Sequence, residues 1–316
     1  MRSQRFGIEL EFTGATREGV RDAVCEYFNT TRYVHTRGYS GYEVEDSTGR
    51  GWKILRDGSI IPERKTADGR TVGANDDYKV ELVSPILRYE DIVPLQELIR
   101  HIRNTCGIFA NRSCGIHIHV DAHNHTAKTL RHLSNIVCSK EDLLYKALNV
   151  RESRLRYCKK TDMNFIEKIN KKRPQTLQEV ADLWYGNQSL SERSRHYNET
   201  RYHALNLHST FTKHTVEFRC FNGSVHAGKV KAYIQFCLAV NHQAMTLRAS
   251  SYKKPETTND RYTFRCWLLR LGLSGDEFKT CRHHLLKNLE GNSAWRNGAV
   301  TTPRVNQQED VVESVM

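Results

Sequence analysis

The chain has 316 residues, with 48 Lys and Arg against 36 Asp and Glu for a formal charge of +12, and 38% hydrophobic residues including 14 Tyr and 11 Phe. That length and content suit a globular protein with a substantial core. They also exclude a helical membrane span, because nowhere do ~20 apolar residues stand in a row. The nine cysteines form no CxxC pair. They read as reduced thiols, and the N-terminus shows no apolar signal region, so a cytoplasmic location is expected.

The first predicted strand, Phe6 to Phe12, alternates: Phe6, Ile8, Leu10 and Phe12 on one side, Glu9 and Glu11 on the other. After the break at Thr13-Gly14, a helix is predicted from Thr16 or Arg17, with Val20, Ala23, Val24, Tyr27 and Phe28 at helical spacing. Short strands follow around Gly38 and Gly41. Trp52 to Arg56 is a further strand, ended by the turn signal Asp57-Gly58-Ser59. The polar stretch Pro62 to Asp77 reads as a long hairpin loop. Lys79 to Val83 is a strand presenting Glu81 opposite Val80 and Leu82, and a helix is predicted over about 90–105 with Pro94 in its first turn.

Cys114 to Ala122 alternates strictly. Ile116, Ile118 and Val120 face one way; His117, His119 and Asp121 face the other. A long amphipathic helix is predicted from Thr126 to Asn149. Residues 150–200 are polar and basic, with helices expected near 153–169 and 176–185. The dense basic run Arg151 to Arg173 reads as a solvated helix face with loops. Tyr202 to Leu207 returns to strand. After a turn at Lys213-His214, Thr215 to Phe221 sets Glu217 and Arg219 against Val216, Phe218 and Cys220. Helices are expected at 228–247, 260–271 and 275–290, and Asn292–Met316 reads as a disordered tail.

If the four alternating strands share a sheet, its polar face gathers Glu9, Glu11, Glu81, Glu217, His117, His119 and Arg219. Three chemistries compete for such a row. A zinc hydrolase could use His117, His119 and Glu81, although four glutamates exceed what a site with three protein ligands needs. A thiol nucleophile at Cys106 or Cys114 has no local pattern to support it. Carboxylates holding Mg²⁺ or Mn²⁺ against a triphosphate, with arginine neutralising the transferring group, fit the oxygen-rich set best. No P-loop or strand–GxGxxG–helix unit is present. A basic nucleic-acid-binding protein remains the non-enzymatic alternative, and nucleic acid is the less favoured partner because the charge builds no single block.

The segments Gly7-Ile-Glu9-Leu-Glu11-Phe12, Asp57-Gly58-Ser59, Glu81-Leu-Val-Ser84-Pro85 and Cys114-Gly115-Ile-His117-Ile-His119-Val120, followed by Arg201 with Asn206 and by Glu217-Phe-Arg219, together resemble the amidoligase family. That family is related to glutamate–cysteine ligase and glutamine synthetase. The resemblance spans about residues 5–225 in order, leaving out the basic 150–200 segment.

It implies an α+β fold: an antiparallel sheet curved into a half-barrel, with helices on its convex face. The domain reading is a single catalytic domain over 1–290, with a basic helical insertion at 150–200. It further implies ATP-dependent joining of a carboxylate to an amine through an acyl phosphate, with ATP and Mg²⁺ (or Mn²⁺) as cofactors. By the same analogy Glu9, Glu11, Glu81 and Glu217 are metal ligands. Arg219, Arg201, His117 and His119 act on the reacting groups, and Lys53, Asp57, Ser59 and Asn206 contact the nucleotide. The expected partners are small-molecule or peptide carboxylates and amines, a protein side chain among them.

Overall fold

Alternation in the first strand decides the architecture. The computed structural model describes residues 1–38 and 40–294, so the expected tail beyond residue 294 lies outside the described residues. Strand β1 (Phe6–Phe12) is followed by helix α1 (Arg17–Phe28), which starts at Thr16, whose hydroxyl accepts from the Gly19 N–H at 3.1 Å. Then come β2 (Tyr33–His35), β3 (Tyr42–Glu45) and β4 (Gly51–Leu55). The 62–77 stretch is the hairpin expected of it, a two-stranded ribbon of β5 (Glu63–Lys65) and β6 (Thr71–Gly73). Strand β7 (Val80–Val83), helix α2 (Ile92–Cys106), strand β8 (Gly115–Asp121) and helix α3 (Ala127–Leu148) follow within a residue or two of their predicted bounds.

The basic segment departs from expectation. In place of a helix over 153–169 there is a single 3₁₀ turn at Glu152–Arg154, then α4 (Met163–Lys172), α5 (Leu177–Tyr185) and the short α6 (Leu190–Arg193). Strand β9 is only Leu205–Asn206, and the short helix α7 (His208–Lys213) fills the stretch between the expected strand and the expected turn at Lys213-His214. Strand β10 (Thr215–Asn222) precedes α8 (Ala227–Thr246), α9 (Asp260–Arg270) and α10 (Lys279–Leu286).

Eight strands form one antiparallel sheet in the order β2-β3-β4-β7-β1-β8-β10-β9. The sheet is open, with β2 and β9 at its edges, and does not close into a barrel. Its apolar face (Phe6, Ile8, Leu10, Phe12, Ile116, Ile118, Val120, Val216 and Phe218) is buried in one cluster with the inner faces of α1, α2, α3 and α8. Helix α8 is apolar nearly all round because it packs against α2, α3, α10 and β8. Area removed from water on this scale is the main stabilising term, at roughly 25 cal/mol per Å² of apolar surface. What matters for function is the other face, which α1, α2, α3 and α8 leave to the site and to the segments that close over it.

One local irregularity re-aims the site. In β10, Phe218 stands opposite Ile118 and Phe221 opposite Ile116, so three steps on β10 meet two on β8. Strict alternation would have placed Cys220 opposite Ile116, and a β-bulge places Phe221 there instead. The ring of Phe221 stacks on Tyr233 of α8 with centroids 4.4 Å apart.

Candidate active site

Register brings the polar row together. Glu9 stands directly across from His117, Glu11 across from Glu81, and Glu217 across from both His119 and Asn206. Side chains directly opposite across an antiparallel ladder lie ≈ 4.5–5.5 Å apart at Cβ, so four glutamates and two histidines on three central strands and β7 must interact. Glu11, His117, His119, Glu217 and Arg219 are all buried.

The contacts are specific. Glu9 Oε2 lies 2.9 Å from His117 Nδ1, and Glu9 Oε1 lies 3.1 Å from His119 Nε2. The other ring nitrogen of His119 meets the Thr215 hydroxyl at 2.9 Å. Glu11 Oε2 accepts from the Gly115 N–H at 2.6 Å. Asn206 Nδ2 donates to Glu217 Oε2 at 2.6 Å, and Arg219 pairs with Glu217 Oε1. His117 Nε2 is buried, makes no hydrogen bond and lies 3.5 Å from Glu11 Oε1.

Electrostatics divide the carboxylates. Burial pushes Glu9 up, but the neighbouring His119 and His117 outweigh it and hold Glu9 well below the usual range. Glu217 is likewise raised by burial and drawn down further by Arg219 and His119, to a net value below the ordinary one. His119 is disfavoured as a cation by burial, yet Glu217 and Glu9 raise it above its ordinary value. Glu81 has no hydrogen bond or ion pair among the described residues, and Lys213, the smallest of its influences, draws it down too little to matter. Burial, followed by the charges of Glu9, Asp57 and Glu11, lifts its carboxyl well above the usual range.

Two donor groups have the spacing to hold a cation, with their ligand atoms within 4.8 Å of one another: Glu11, Glu81 and His117, and Glu9, His117 and Glu217. The first includes both the unbonded His117 Nε2 and the unpaired carboxylate of Glu81, so these residues fit a divalent ion. The hydrolase set of His117, His119 and Glu81 does not form such a group among the described residues, and both ring nitrogens of His119 are already engaged. Thiol catalysis fares no better. Burial pushes Cys114 up to about 12, and Cys106 is also raised by burial.

The row opens into a cleft of about 1420 Å³. Of the sequence-predicted residues, Glu9, Glu11, Glu81, His117, Arg219, Arg201, Lys53, Asp57 and Ser59 line it. Asp57 is both turn and wall, since its Oδ1 accepts from the Ser59 N–H and hydroxyl, each at 2.6 Å. Three residues stand elsewhere. His119 faces a second cleft, and Asn206 lines a smaller cavity behind Glu217 with His208 and Ser209. Glu217 also lines that cavity, while Arg201 lines both it and the main cleft.

Sequence reading missed Arg154, Tyr157, His196, Tyr202 and Lys213, which also line the main cleft. Three of the five come from the basic segment, where polar composition gave no sign of burial. Arg154 corrects the solvated-face reading most sharply. It is 2% exposed, donates to the Arg219 carbonyl at 3.2 Å and stands 3.8 Å from Glu11. It lies flat over Gly115, where an added Cβ would come within 2.2 Å of its guanidinium. Gly115→Ala is therefore expected to evict Arg154 and to cost ~1–3 kcal/mol, as overpacking does. Thermal melting of the variant checks this, and an unchanged melting temperature would contradict it.

A protein-family model described as "Putative amidoligase enzyme" matches residues 2–241. The matched range includes the 150–200 segment that the motif resemblance left out, and ends inside α8. No curated protein matches the chain.

Proposed function

Since the chain belongs to the amidoligase family, we propose that it is an ATP- and Mg²⁺-dependent carboxylate–amine ligase acting through an acyl phosphate. One observation carries the reading: the unbonded His117 Nε2 and the unpaired Glu81 carboxylate meet Glu11 on the wall of a cleft that also holds Lys53, Arg56, Arg154, Arg201 and Arg219. A carboxylate cluster beside these cations and Lys213 matches a metal–triphosphate better than it matches a zinc-bound water. The open antiparallel sheet with helices on one face supports a glutamine-synthetase-like half-barrel. Nine free cysteines support a cytoplasmic setting.

In this reading Glu11, Glu81 and His117 would hold one ion, while Glu9, engaged by His117 and His119, and Glu217, engaged by Arg219 and Asn206, carry negative charge beside it. When bound, Mg²⁺ supplies neutralisation of the phosphate charge. A substrate carboxylate oxygen attacks the γ-phosphorus, and ADP departs with the bridging oxygen. The amine nitrogen then attacks the acyl carbon. The C–N bond forms, the C–O bond to phosphate breaks, inorganic phosphate leaves with the electron pair, and the surplus amine proton passes to solvent.

The chain's work is placement and charge. Arg219 is fixed by Glu217 and Arg154 by packing over Gly115, so both present guanidinium groups without reorganising. An arginine suits this role because its planar fork meets two phosphate oxygens at once. The acyl and amine partners are small molecules or peptides, a protein side chain included.

The test is ATP turnover across a panel of acids and amines, with mass spectrometry of the product. Turnover is expected to require Mg²⁺ and to fall at least ~100-fold in Glu9→Gln, the size of effect seen when a preorganised charge is removed. Full Mg²⁺-dependent activity in that variant would sink the assignment.

A further inference from the structure

The polar face carries a second cleft, of about 740 Å³, that shares Glu9, Val83 and Lys213 with the first. It lies toward the start of β1, on the side of Glu9 away from Arg154 and Arg219. Its floor is Gly7, which stands opposite His119 in the ladder. A Cβ at Gly7 would meet only the Ser84 hydroxyl, at 3.8 Å, and its backbone is one that any residue adopts. Glycine is therefore not demanded by the chain's conformation there. Its effect is to leave His119 and Glu9 open from this side.

The walls of this cleft are chemically ordered from inside to outside. At the inner end is the Glu9 carboxylate. One flank is apolar, formed by Val83, Pro85 and Ile86, and Ile86 is 65% exposed with no cover. At the rim stand Arg5, His123, His214 and Lys213. The one rim carboxylate, Asp121, is already taken: it binds Arg5 at 2.6 Å and His123 at 2.5 Å. Lys213 lies 3.9 Å from Glu9 with its side chain 46% exposed, so it faces both clefts. The cleft thus offers an anion inside, cations outside and an aliphatic side wall.

We propose that this cleft is the amine-acceptor subsite and takes a free α-amino acid with an aliphatic side chain. Its ammonium group meets Glu9, its side chain packs on Val83 and Ile86, and its carboxylate faces Lys213 and the rim. The assignment rests on the ligase reading, and it fixes the class of the amine. It also explains why the two clefts meet at Glu9: a nitrogen bound there adjoins the site of acyl phosphate formation.

The experiment titrates the full chain with L-leucine by calorimetry in the presence of Mg·ADP, alongside separate Mg·ATP titrations. Leucinol and 4-methylpentanoate serve as probes lacking the carboxylate and the amine. Leucine is expected to bind at least ~10-fold more tightly than either. Gly7→Val, which fills the floor, and Ile86→Asp, an exposed substitution that preserves folding, are each expected to weaken leucine ~10-fold and leave Mg·ATP affinity unchanged. Wild-type protein that binds Mg·ATP but not leucine would overturn the subsite and leave the ligase reading standing, as would leucine affinity equal in all three proteins. Failure to bind Mg·ATP would instead remove the ligase reading.

Discussion

Arg219→Ala is expected to lose ligation activity by ~10³-fold or more and to lower the protein's stability at the same time. Arginines that stabilise a transferring phosphoryl group contribute 10³–10⁵ in rate. Arg219 has the placement for that role: it is 5% exposed, lines the main cleft and is fixed by its bond to Glu217. The stability loss has a separate origin. Removing one member of a buried ion pair leaves the other charge without compensation, at about 3–5 kcal/mol. Glu217 would keep only Asn206 and more distant histidines as partners. Because a collapse of the fold could imitate a catalytic loss, the informative pair is Arg219→Ala with Arg219→Lys. Lysine restores the charge near Glu217 and so recovers much of the melting temperature, but it cannot form the two-pronged contact and leaves turnover low. Turnover at wild-type level in Arg219→Lys would show that Arg219 serves only Glu217.

The second large effect runs in opposite directions for stability and function. Glu81→Gln is expected to stabilise the metal-free protein near pH 8 while abolishing Mg²⁺-dependent turnover. Burial and the charges of Glu9, Asp57 and Glu11 raise the Glu81 carboxyl well above the usual range. A carboxyl whose folded pKa is raised binds its proton more tightly when folded. Its ionisation therefore costs stability, and the cost grows as pH climbs from the ordinary carboxylate value through the raised one. Glutamine removes that cost, so the gain should appear at pH 8 and vanish near pH 4. The same substitution deletes one of the three donors of the Glu11, Glu81 and His117 group. Melting temperatures of both proteins at the two pH values, with and without Mg²⁺, separate the effects. A Glu81→Gln variant that is no more stable at pH 8, or that retains the Mg²⁺-dependent shift, contradicts this account. A site residue whose replacement stabilises the resting protein is the signature of stability given up for function.

Much of the site was legible because a strand has a period of two. Once Ile116, Ile118 and Val120 are committed to a core, His117 and His119 have only one other direction, and the same holds for Glu9 and Glu11 beside Ile8 and Leu10. Helices α1, α2 and α3 were legible for the matching reason, an apolar stripe bounded by caps such as Thr16 and Gly107.

The basic segment was not legible, because its residues are buried by contacts distant in sequence. Arg154 belongs to a run of Arg and Lys that reads as solvent-facing, yet Gly115, 39 positions earlier, admits it to the centre of the site. Lys213 ends a helix of six residues, too short for periodicity to announce. The bulge in β10 exchanges the places of Cys220 and Phe221 without any local mark in Thr215–Asn222.

The sequence by itself determined which side chains share a face, since backbone geometry and the demand to bury apolar surface act locally. Only the tertiary structure decided which strands are neighbours, and hence that Glu9 meets His117 and Glu11 meets Glu81. It also decided that Arg154 guards the cleft and that Gly7 leaves a second one open. Register, bulges and buried charge pairs arise from energies shared between distant segments, and no single stretch of the chain contains both partners.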